Sequence, residues 1–469
     1  MTEAFDSSGP EESVFRLLVP ARDTASSEAA TIDVGGQRWQ VVAHGAVPLR
    51  AEAPDFICVS YSWGDERVPN PFDPQRPMSS RALPALEAAI AALRQDAVWL
   101  DAACMPVREP ARRPCLQNMG AIYAAASSVV VVLSPSASTL VNKVRRGEGV
   151  TSEELLSLGA DDWISRAWTY QEMANSKDIN FVAAAGKDEA VNGEKLLNAV
   201  GYASAQFRKA EQIDGYEFRR RYPRLDALEA LIDDWFRADL ADQSAYRIMS
   251  AMVGRTAIDP DDYFYAMVGA VTATPLTDPK DAALSPPEYF MRVCERKGDF
   301  SFIYSSDRRA LDDAGGWRPR PALLPIIPWS SVGKRQEGDL QADSLRLHNM
   351  GRVTLGPLDG AARTFIDGWL KTVRHSLPQD IEDAVRETLF RAGFSGCGEH
   401  VETTSGLFFP QHPMDNARNS AVVVATDIFF NFGAPGLLLE SAKSGRSRFR
   451  DVGVFVGPVP QVKEAIDIR

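Results

Sequence analysis

The sequence predicts an α/β protein whose first half is built on a doubly wound parallel sheet. Short apolar runs alternate with amphipathic stretches between residues 56 and 133, as strands alternate with helices in such a sheet. The runs are apolar at nearly every position and do not alternate with polar residues, which is typical of parallel strands covered on both faces. After this part of the chain the sequence pattern changes twice. It first predicts a mainly helical region and then a C-terminal α+β region that is mainly β.

Three apolar runs predict the central strands of the sheet, over residues 56–61, 97–100 and 129–133. Between these runs apolar residues recur every three or four positions, which predicts one helix in each gap. The two apolar stripes are Leu83, Leu86, Ile90 and Leu93, then Leu116, Met119 and Tyr123. Ser79 or Ser80 is expected to cap the first of these helices.

A fourth strand is predicted over residues 179–184, after one further helix. That helix is predicted to begin at Asp161 or Asp162, because acidic side chains favour the N-terminal end of the helix dipole. The pattern continues the helix to Met173. Strand, helix and strand therefore alternate throughout this part of the chain.

Changes in composition divide the chain into four segments. Residues 1–50 form an N-terminal extension, in which two strand-like runs separated by Gly35-Gly36 predict a hairpin. The other segments are the α/β core at 51–187, a mainly helical region at 188–317 and the C-terminal α+β region at 318–469. In the last segment, short apolar runs predict strands, together with one helix near residues 379–391.

Composition and charge exclude several classes of function. The 469 residues carry a formal net charge of −12 and only short basic runs, so nucleic acid is not an expected partner. No apolar run reaches the roughly 18 residues of a membrane helix, and the N-terminus lacks the apolar core of a secretory signal. We therefore expect a cytoplasmic protein with no membrane partner. The five cysteines are odd in number and scattered, which argues against a disulfide scaffold and a zinc site.

Familiar catalytic signatures are absent from the sequence. It contains no phosphate-binding G-x-x-x-x-G-K-[ST], no H-E-x-x-H and no G-x-S-x-G. The segment G-E-G-V-T-S at 147–152 lacks a third glycine and does not lie between a strand and a helix, so it is interpreted as a surface loop. Histidine and cysteine do not cluster at ligand spacing, so no metal is expected.

Three motifs taken together carry a resemblance to a known family. They are S-Y-S-W-G at 60–64, V-W-L-D-A-A-C at 98–104 and S-R-A-W-T-Y-Q-E at 165–172. In this order and at comparable spacing they resemble the signature stretches of the HET (heterokaryon incompatibility) domain, which reads S-Y-x-W-G, L-W-I-D-x-x-C-I-x-Q and S-R-x-W-T-x-Q-E.

Two further segments extend the resemblance to about residues 55–270. Residues 117–126 resemble the family's M-x-x-I-Y-x-x-A helix, and residues 259–269 resemble its D-P-R-D-x-x-Y-A-L-x-G segment. The chain departs from the family at Met105-Pro106-Val107, where I-x-Q is usual. It departs again at Asp262-Tyr263-Phe264, where an Asp-Lys pair is common.

The resemblance implies a fold and a chemistry. HET domains are similar in fold to TIR domains, which have a flavodoxin-like sheet and some of which cleave NAD+ at the nicotinamide–ribose bond. The essential glutamate of that chemistry corresponds here to Glu172. On this basis NAD+ is the expected substrate and no other cofactor is required. A regulated toxin, cell-death or immune effector that acts as a homo-oligomer or with a protein partner is the implied role.

Glycosidic chemistry supports a carboxylate at this position independently of the family. Cleavage passes through an oxocarbenium-like state, whose developing positive charge a nearby carboxylate stabilises. Because nicotinamide leaves from a cationic ring, one carboxylate can suffice without a strong general acid. The product, linear or cyclic ADP-ribose, does not follow from the sequence.

The remaining candidate residues are expected to line the pocket around Glu172. They are Ser60, Tyr61, Trp63, Gly64, Asp101, Arg166 and Trp168. Strand ends lie at the carboxyl edge of the sheet, where open α/β folds bind ligands. Trp168 precedes Glu172 by one helical turn and is expected on the same face, as a wall for nicotinamide or ribose.

Each candidate residue also has a structural interpretation. The tryptophans can fill the core, Asp101 can cap a segment or pair with Arg166, and Cys104 is more easily a small buried hydrophobe than a nucleophile. A second hypothesis is therefore a non-enzymatic HET signalling module that acts by self-association or partner binding. A metal- or cysteine-dependent hydrolase is the third.

Overall fold

The protein is described here from a computed structural model. The structure describes residues 14–21, 31–46, 55–73, 76–106, 111–184, 189–236, 243–274, 281, 283–307, 316–320, 323–329, 331–373, 380–414, 420–441 and 447–469. The chain divides into two compact units. The first comprises Met1–Ile213, Arg221–Leu240 and Gly254–Leu284, and the second comprises Asp214–Arg220, Ala241–Val253 and Ser285–Arg469.

The strands are numbered in chain order. Those of the first unit are β1 (Val14–Pro20), β2 (Thr31–Val34), β3 (Gln37–Ala46), β4 (Ile57–Tyr61), β5 (Arg67–Val68), β6 (Met78–Ser79), β7 (Val98–Trp99), β8 (Ser128–Leu133), β9 (Ile179–Ala183) and β10 (Val191–Asn192). Those of the second unit are β11 (Val332–Gly333), β12 (Gly338–Leu340), β13 (Leu345–Val353), β14 (Val401–Thr403), β15 (Gly406–Pro410), β16 (Ser420–Ala425), β17 (Ile428–Phe429), β18 (Gly433–Ser441), β19 (Ser447–Val456) and β20 (Glu464–Ile468).

The helices are numbered in the same way. They are α1 (Ala82–Leu93), α2 (Asp101–Cys104), α3 (Arg112–Gln117), α4 (Met119–Ala125), α5 (Ser138–Arg146), α6 (Ser152–Gly159), α7 (Asp162–Ser165), α8 (Ala167–Ala174), α9 (Gly193–Glu211), α10 (Gly215–Arg221), α11 (Pro223–Phe236), α12 (Ala245–Met252), α13 (Pro260–Val271), α14 (Pro286–Lys297), α15 (Gly360–Val373) and α16 (Ile381–Arg391). Within the described ranges, none of the helices has the length and apolarity that crossing a membrane requires.

A mixed sheet forms the centre of the first unit. Its strand order is β10-β9-β8-β4-β7-β1-β3-β2. The neighbours β7, β4, β8 and β9 are parallel to one another, whereas β10, β1, β3 and β2 pair antiparallel. The sequence predicted the parallel strands, but the sheet is not parallel throughout.

The N-terminal strands belong to this sheet and are not a separate extension. The turn at Gly35-Gly36 joins β2 to β3, and both glycines have positive φ, which suits a tight hairpin. Strand β1 pairs with β3 and also with β7, through Leu18 and Val98. Leu17 and Leu18 are fully buried. The two predicted runs, residues 14–19 and 39–43, pair with each other within β1 and β3, but the turn at Gly35-Gly36 joins β3 to β2, which was not predicted. Together the three strands complete one edge of the sheet.

Burial explains why polar and apolar residues do not alternate along the central strands. Every residue of β4 and of β8 is buried. Helix α1 contacts β4, β8 and β9, and helix α8 also contacts β4. A strand covered in this way has no polar face, so the uninterrupted apolar runs follow from its position in the sheet.

Two predicted helix details were wrong. Helix α1 has Arg81 at its N-cap with no side-chain cap, and the Ser79 hydroxyl instead accepts a hydrogen bond from the Arg81 N–H. The helix predicted to run from Asp161 to Met173 is two helices, α7 and α8, which are separated at Arg166. Asp161 is the N-cap of the first, as predicted, and its carboxylate accepts from the Trp163 N–H.

The second unit contains a mainly antiparallel sheet, in which β19 and β20 pair in parallel, and the short apolar runs predicted β-structure here. Its strand order is β12-β13-β16-β18-β19-β15-β14, and β20 pairs with β13 and β19. The predicted helix near 379–391 is α16, and residue 379 lies outside the described residues. Helix α15 was not predicted, although its buried residues Ala362, Ile366, Trp369 and Leu370 form an apolar stripe at helical spacing.

The four segments predicted from composition do not coincide with these two units. The mainly helical stretch at 188–317 contributes to both, because α9, α11 and α13 lie in the first unit while α12 and α14 lie in the second. Contacts between residues distant in sequence decide this division. Local composition carries no record of those contacts.

Candidate functional site

The site begins at the ends of two neighbouring parallel strands. Strand β4 ends at Tyr61, and β7 is followed after one residue by Asp101, the first residue of α2. The register pairs Ile57 with Val98. Because the strands are parallel, their carboxyl ends meet at one edge of the sheet, where open α/β folds bind ligands.

Asp101 fixes two aromatic side chains at this edge. Its carboxylate accepts hydrogen bonds from the Tyr61 hydroxyl at 2.9 Å and from Trp63 Nε1 at 2.6 Å. The Ala102 N–H donates a third, at 2.6 Å. Burial raises the pKa of Asp101, and these donors oppose that rise. Asp101 therefore orients Tyr61 and Trp63.

Glu172 is the second carboxyl group of the site and is almost completely enclosed. Its side chain comes from α8, and the residue is 6% exposed. The Ser60 hydroxyl donates a 2.5 Å hydrogen bond to Glu172 Oε2 and accepts one of 2.8 Å from Trp163 Nε1. The three side chains form a connected buried network, whose members are costly to remove singly.

The electrostatics of Glu172 follow from this enclosure. Burial, together with the charge of Asp101, raises the pKa of Glu172 to about 8. Hydrogen bonds from Ser60 and Tyr123 and the charge of Arg166 act in the opposite direction. In the unliganded protein Glu172 is consequently mostly protonated at neutral pH. Strongly perturbed carboxyl groups beside a pocket are typical of functional sites.

The break between α7 and α8 places Arg166 and Trp168. Arg166 has an extended backbone, and the Ala167 N–H donates to the Thr256 carbonyl at 2.9 Å. The buried Arg255 guanidinium donates to the carbonyls of Ile164 and Arg166, each at 3.1 Å. In a continuous helix these backbone groups would hydrogen-bond to one another. Here Arg255 and Thr256 satisfy them instead, which explains the break.

Trp168 is half-buried and faces the pocket. Its side chain hydrogen-bonds to Asp262, near the start of α13, and burial raises the pKa of that carboxyl. Helix α13 packs closely on α4, since a Cβ at Gly120 would lie 2.5 Å from the carbonyl oxygen of Gly269. Only glycine allows this approach. The close contact positions one wall of the pocket.

A pocket of about 240 Å³ joins these groups. It is lined by Tyr61, Trp63, Arg67, Arg76, Asp101, Met105, Arg112, Leu116, Met119, Arg166, Trp168, Glu172, Ile258, Asp259 and Asp262. Six of the eight predicted site residues are among them: Tyr61, Trp63, Asp101, Arg166, Trp168 and Glu172. Trp168 and Glu172 thus share the pocket, as their spacing on the helix predicted.

The other two predicted residues lie just behind the pocket. Ser60 reaches it through its hydrogen bond to Glu172. Gly64 has a φ of +59°, and a Cβ there would lie 2.8 Å from Arg81 Nε. Gly64 therefore allows the turn after Trp63 and makes no wall itself.

Sequence reasoning missed the arginines at the other end of the pocket. The guanidinium groups of Arg67 and Arg76 lie over the Trp63 ring, at 5.3 Å and 5.4 Å from its centroid. Arg112 lines the pocket from the start of α3. None of the three lies in a quoted motif, and isolated arginines in loops give no pattern. Their convergence on one pocket becomes visible only in three dimensions.

The described residues give little support to the third hypothesis, a metal- or cysteine-dependent hydrolase. Among them, no group of three or more His, Cys, Asp or Glu side chains could hold a metal ion. Cys104 is buried, and burial raises the pKa of its thiol to about 12. A thiol of this kind is a poor nucleophile at neutral pH.

Comparison with known proteins gives one match. Residues 56–157 match the model of the family described as Heterokaryon incompatibility protein (HET). The matched range includes the segments around Tyr61 and Asp101 and ends before Arg166 and Glu172. No curated protein and no solved structure matches the chain.

Proposed function

We propose that the first unit cleaves the nicotinamide–ribose bond of NAD+, with Glu172 as the essential carboxylate. The observation that carries this proposal is the position of Glu172, a buried carboxyl group at the wall of a pocket. The same pocket presents two indole rings, Trp63 and Trp168, and several arginines. Flat apolar surfaces suit a nicotinamide ring, and cations suit the phosphates of a dinucleotide.

The reaction needs few groups from the protein. The C1′–N bond breaks with its electron pair moving to the nicotinamide nitrogen, so the leaving group departs neutral. Water then attacks C1′ and loses a proton, which gives ADP-ribose and nicotinamide. An ionised Glu172 stabilises the positive charge that develops on the ribose between these steps.

Substrate binding supplies the condition for ionisation. In the unliganded pocket the pKa of Glu172 is about 8, so the protonated form dominates at neutral pH. The nicotinamide ring of NAD+ is cationic, and a positive charge beside a carboxyl group lowers its pKa. Hydrogen bonds from Ser60 and Tyr123 also favour the ionised form. Binding of the reactive ring and activation of Glu172 are therefore coupled.

The family match gives this chemistry a biological setting. A HET segment is consistent with a role in heterokaryon incompatibility or cell death. By depleting NAD+, the protein would act in such a role as a regulated toxin or immune effector. Kinship with TIR domains is part of the proposal and is supported by the parallel strand order β7-β4-β8-β9, which corresponds to 2-1-3-4 in flavodoxin-like sheets.

Regulation belongs to the same proposal. The second unit, whose mainly antiparallel sheet is unlike the sheet of the first, would sense the trigger. Activity would depend on self-association or on a protein partner, and the protein would act in the cytoplasm.

Release of nicotinamide from NAD+ by the purified full-length chain tests the proposal. Wild type should release nicotinamide, and Glu172→Gln should reduce the rate at least about a hundredfold at unchanged folding. Glu87→Gln makes the same change at an exposed position of α1, outside the pocket, and should retain activity. Retained activity in Glu172→Gln would exclude the assigned role. No release by concentrated, self-associated wild type would favour the non-enzymatic signalling module.

A further inference from the structure

The pocket contains more positive charge than the rest of the chain would suggest. The protein carries a net charge of −12, yet Arg67, Arg76, Arg112 and Arg166 all line this one pocket. Four carboxyl groups also line it. Glu172 is mostly protonated at neutral pH, so the cations are in excess where a ligand would sit.

Arg76 has unused hydrogen-bonding capacity. Its Nη1 atom is buried and has no hydrogen-bond partner among the residues that the structure describes. A buried donor of a charged group that lacks a partner is costly, and native proteins rarely keep one without a reason. The nearby carboxylate of Asp101 attracts Arg76 electrostatically but makes no hydrogen bond to its Nη1.

A second arginine increases the cost of this arrangement. Burial lowers the pKa of Arg76, the charge of Arg112 lowers it further, and the charge of Asp101 acts in the opposite direction. Two guanidinium groups that repel each other across a pocket are stabilised when an anion lies between them.

The position of Arg76 is fixed before any ligand arrives. Its guanidinium lies over the Trp63 ring, and Asp101 holds that ring through Nε1. Arg67 lies over the same ring and donates to the carbonyl of Gly64 at 2.8 Å. A preorganised cation loses little conformational entropy on binding an anion.

We infer that Arg76 and Arg112, assisted by Arg67, bind the diphosphate group of the substrate. The substrate is then a dinucleotide, and a nicotinamide nucleoside without phosphates is a poor substitute. A diphosphate offers several oxygens to planar guanidinium groups and so suits two or more of them at once. The identity of the substrate rests on the proposed function, whereas the anion site itself does not.

Calorimetric titration of the full-length chain with inorganic diphosphate tests the anion site alone. Wild type should bind it, and more tightly than inorganic phosphate. Arg76→Gln and Arg112→Gln should each weaken binding about tenfold or more. Arg38→Gln removes the same charge from an exposed position of β3 and should change the affinity less than about twofold. Arg76→Lys keeps the charge but loses the planar guanidinium group, so its affinity for diphosphate should lie between those of wild type and Arg76→Gln.

Several outcomes would overturn the inference. These are an absence of diphosphate binding, equal weakening in Arg38→Gln, and unchanged binding in both Arg76→Gln and Arg112→Gln with folding verified by circular dichroism. Should either glutamine variant fail to fold, the other and Arg76→Lys still decide the question.

Titration with ADP-ribose and turnover of NAD+ separate this inference from the proposed function. Diphosphate binding without NAD+ cleavage would retain the anion site and reject the activity. Cleavage of NAD+ with the same KM in wild type and Arg76→Gln would retain the activity and reject the anion site. Agreement requires a KM for NAD+ that rises in Arg76→Gln, while the rate for nicotinamide riboside is low in both.

Discussion

The hydroxyl group of Ser60 donates a 2.5 Å hydrogen bond to Glu172 Oε2, although the two residues are 112 positions apart in the chain. Ser60 comes from a central strand and Glu172 from the helix that packs on it. The same hydroxyl oxygen accepts from Trp163 Nε1. Two of the sequence motifs are therefore joined through a single oxygen atom.

Ser60→Ala is expected to destabilise the ionised form of Glu172. Removal of the hydroxyl takes away a donor to the carboxylate, so the pKa of Glu172 rises further. The rate of NAD+ cleavage at pH 7 should fall about tenfold. Rates measured from about pH 6 to about pH 10 check this, because the profile should shift to higher pH. Ser60→Thr, which keeps the hydroxyl, should leave the midpoint near that of wild type.

The pH dependence of wild type follows from the same carboxyl group. In the proposed mechanism the ionised form of Glu172 is the active one, and burial raises the pKa of Glu172 to about 8. The value of kcat/KM reports the unliganded enzyme, so it should increase as the pH rises through about 8 and then level off. A profile that falls over this range would indicate that the protonated form is active. Stopped assays of nicotinamide in overlapping buffers provide the measurement.

Glu172→Gln is expected to stabilise the fold increasingly as the pH rises. The folded chain retains a proton on Glu172 up to about pH 8, whereas the unfolded chain loses it near about pH 4.3. Between these values the unfolded state binds fewer protons, so the wild-type free energy of unfolding falls with increasing pH. A glutamine side chain does not ionise, so the variant avoids this loss. Denaturant titrations at about pH 5 and about pH 8 measure this. The free energy of unfolding of the variant, relative to that of wild type, should be greater at about pH 8 than at about pH 5. An equal difference at both pH values would contradict the raised pKa of Glu172.

Asp101→Asn should affect binding and the pH profile in different ways. An amide can accept a hydrogen bond with only one of its two ends, so either Tyr61 or Trp63 loses its acceptor. The KM for NAD+ should therefore rise. Loss of the negative charge also removes one cause of the raised pKa of Glu172, and the midpoint of kcat/KM should move to lower pH. An unchanged midpoint would show that the charge of Asp101 does not act on Glu172.

Arg255→Lys tests the segment that breaks the helix at Arg166. The guanidinium group donates to the carbonyls of Ile164, Arg166 and Ala227, and an ammonium group cannot reproduce this planar fork. The free energy of unfolding should fall by about 1–3 kcal/mol, as expected for lost buried hydrogen bonds to a charged group. The KM for NAD+ should rise as Arg166 and Trp168 lose their support. Thermal melts and steady-state kinetics measure the two effects. An unchanged KM would show that Arg255 does not support the positions of Arg166 and Trp168 in the pocket.

The sequence predicted what depends on local pattern. The apolar runs of β4 and β8 and the motif residues Asp101 and Glu172 all lie where the strand and helix pattern placed them. Strand ends and helical spacing are short-range properties, so a single sequence contains enough information to place them. Six predicted residues consequently meet at one pocket.

The parts that were missed depend on long-range contacts. The helix break at Arg166 exists because Thr256 and Arg255 bind its backbone, and nothing near residue 166 indicates them. Strand β1 completes the sheet by pairing with a strand distant in sequence. Arg76 and Arg112 face one pocket from two separate segments. Periodicity and motif spacing carry no information on such pairings.

The position of Asp262 determines when a growing chain can carry a complete pocket. Helix α13 supplies this wall and is translated well after Glu172. At about 5–20 residues per second, the delay between the two is on the order of ten seconds. Segments of the second unit are made during that delay, since Asp214–Arg220 and Ala241–Val253 precede α13. A chain that ends before α13 would lack Asp262 and would carry an incomplete pocket.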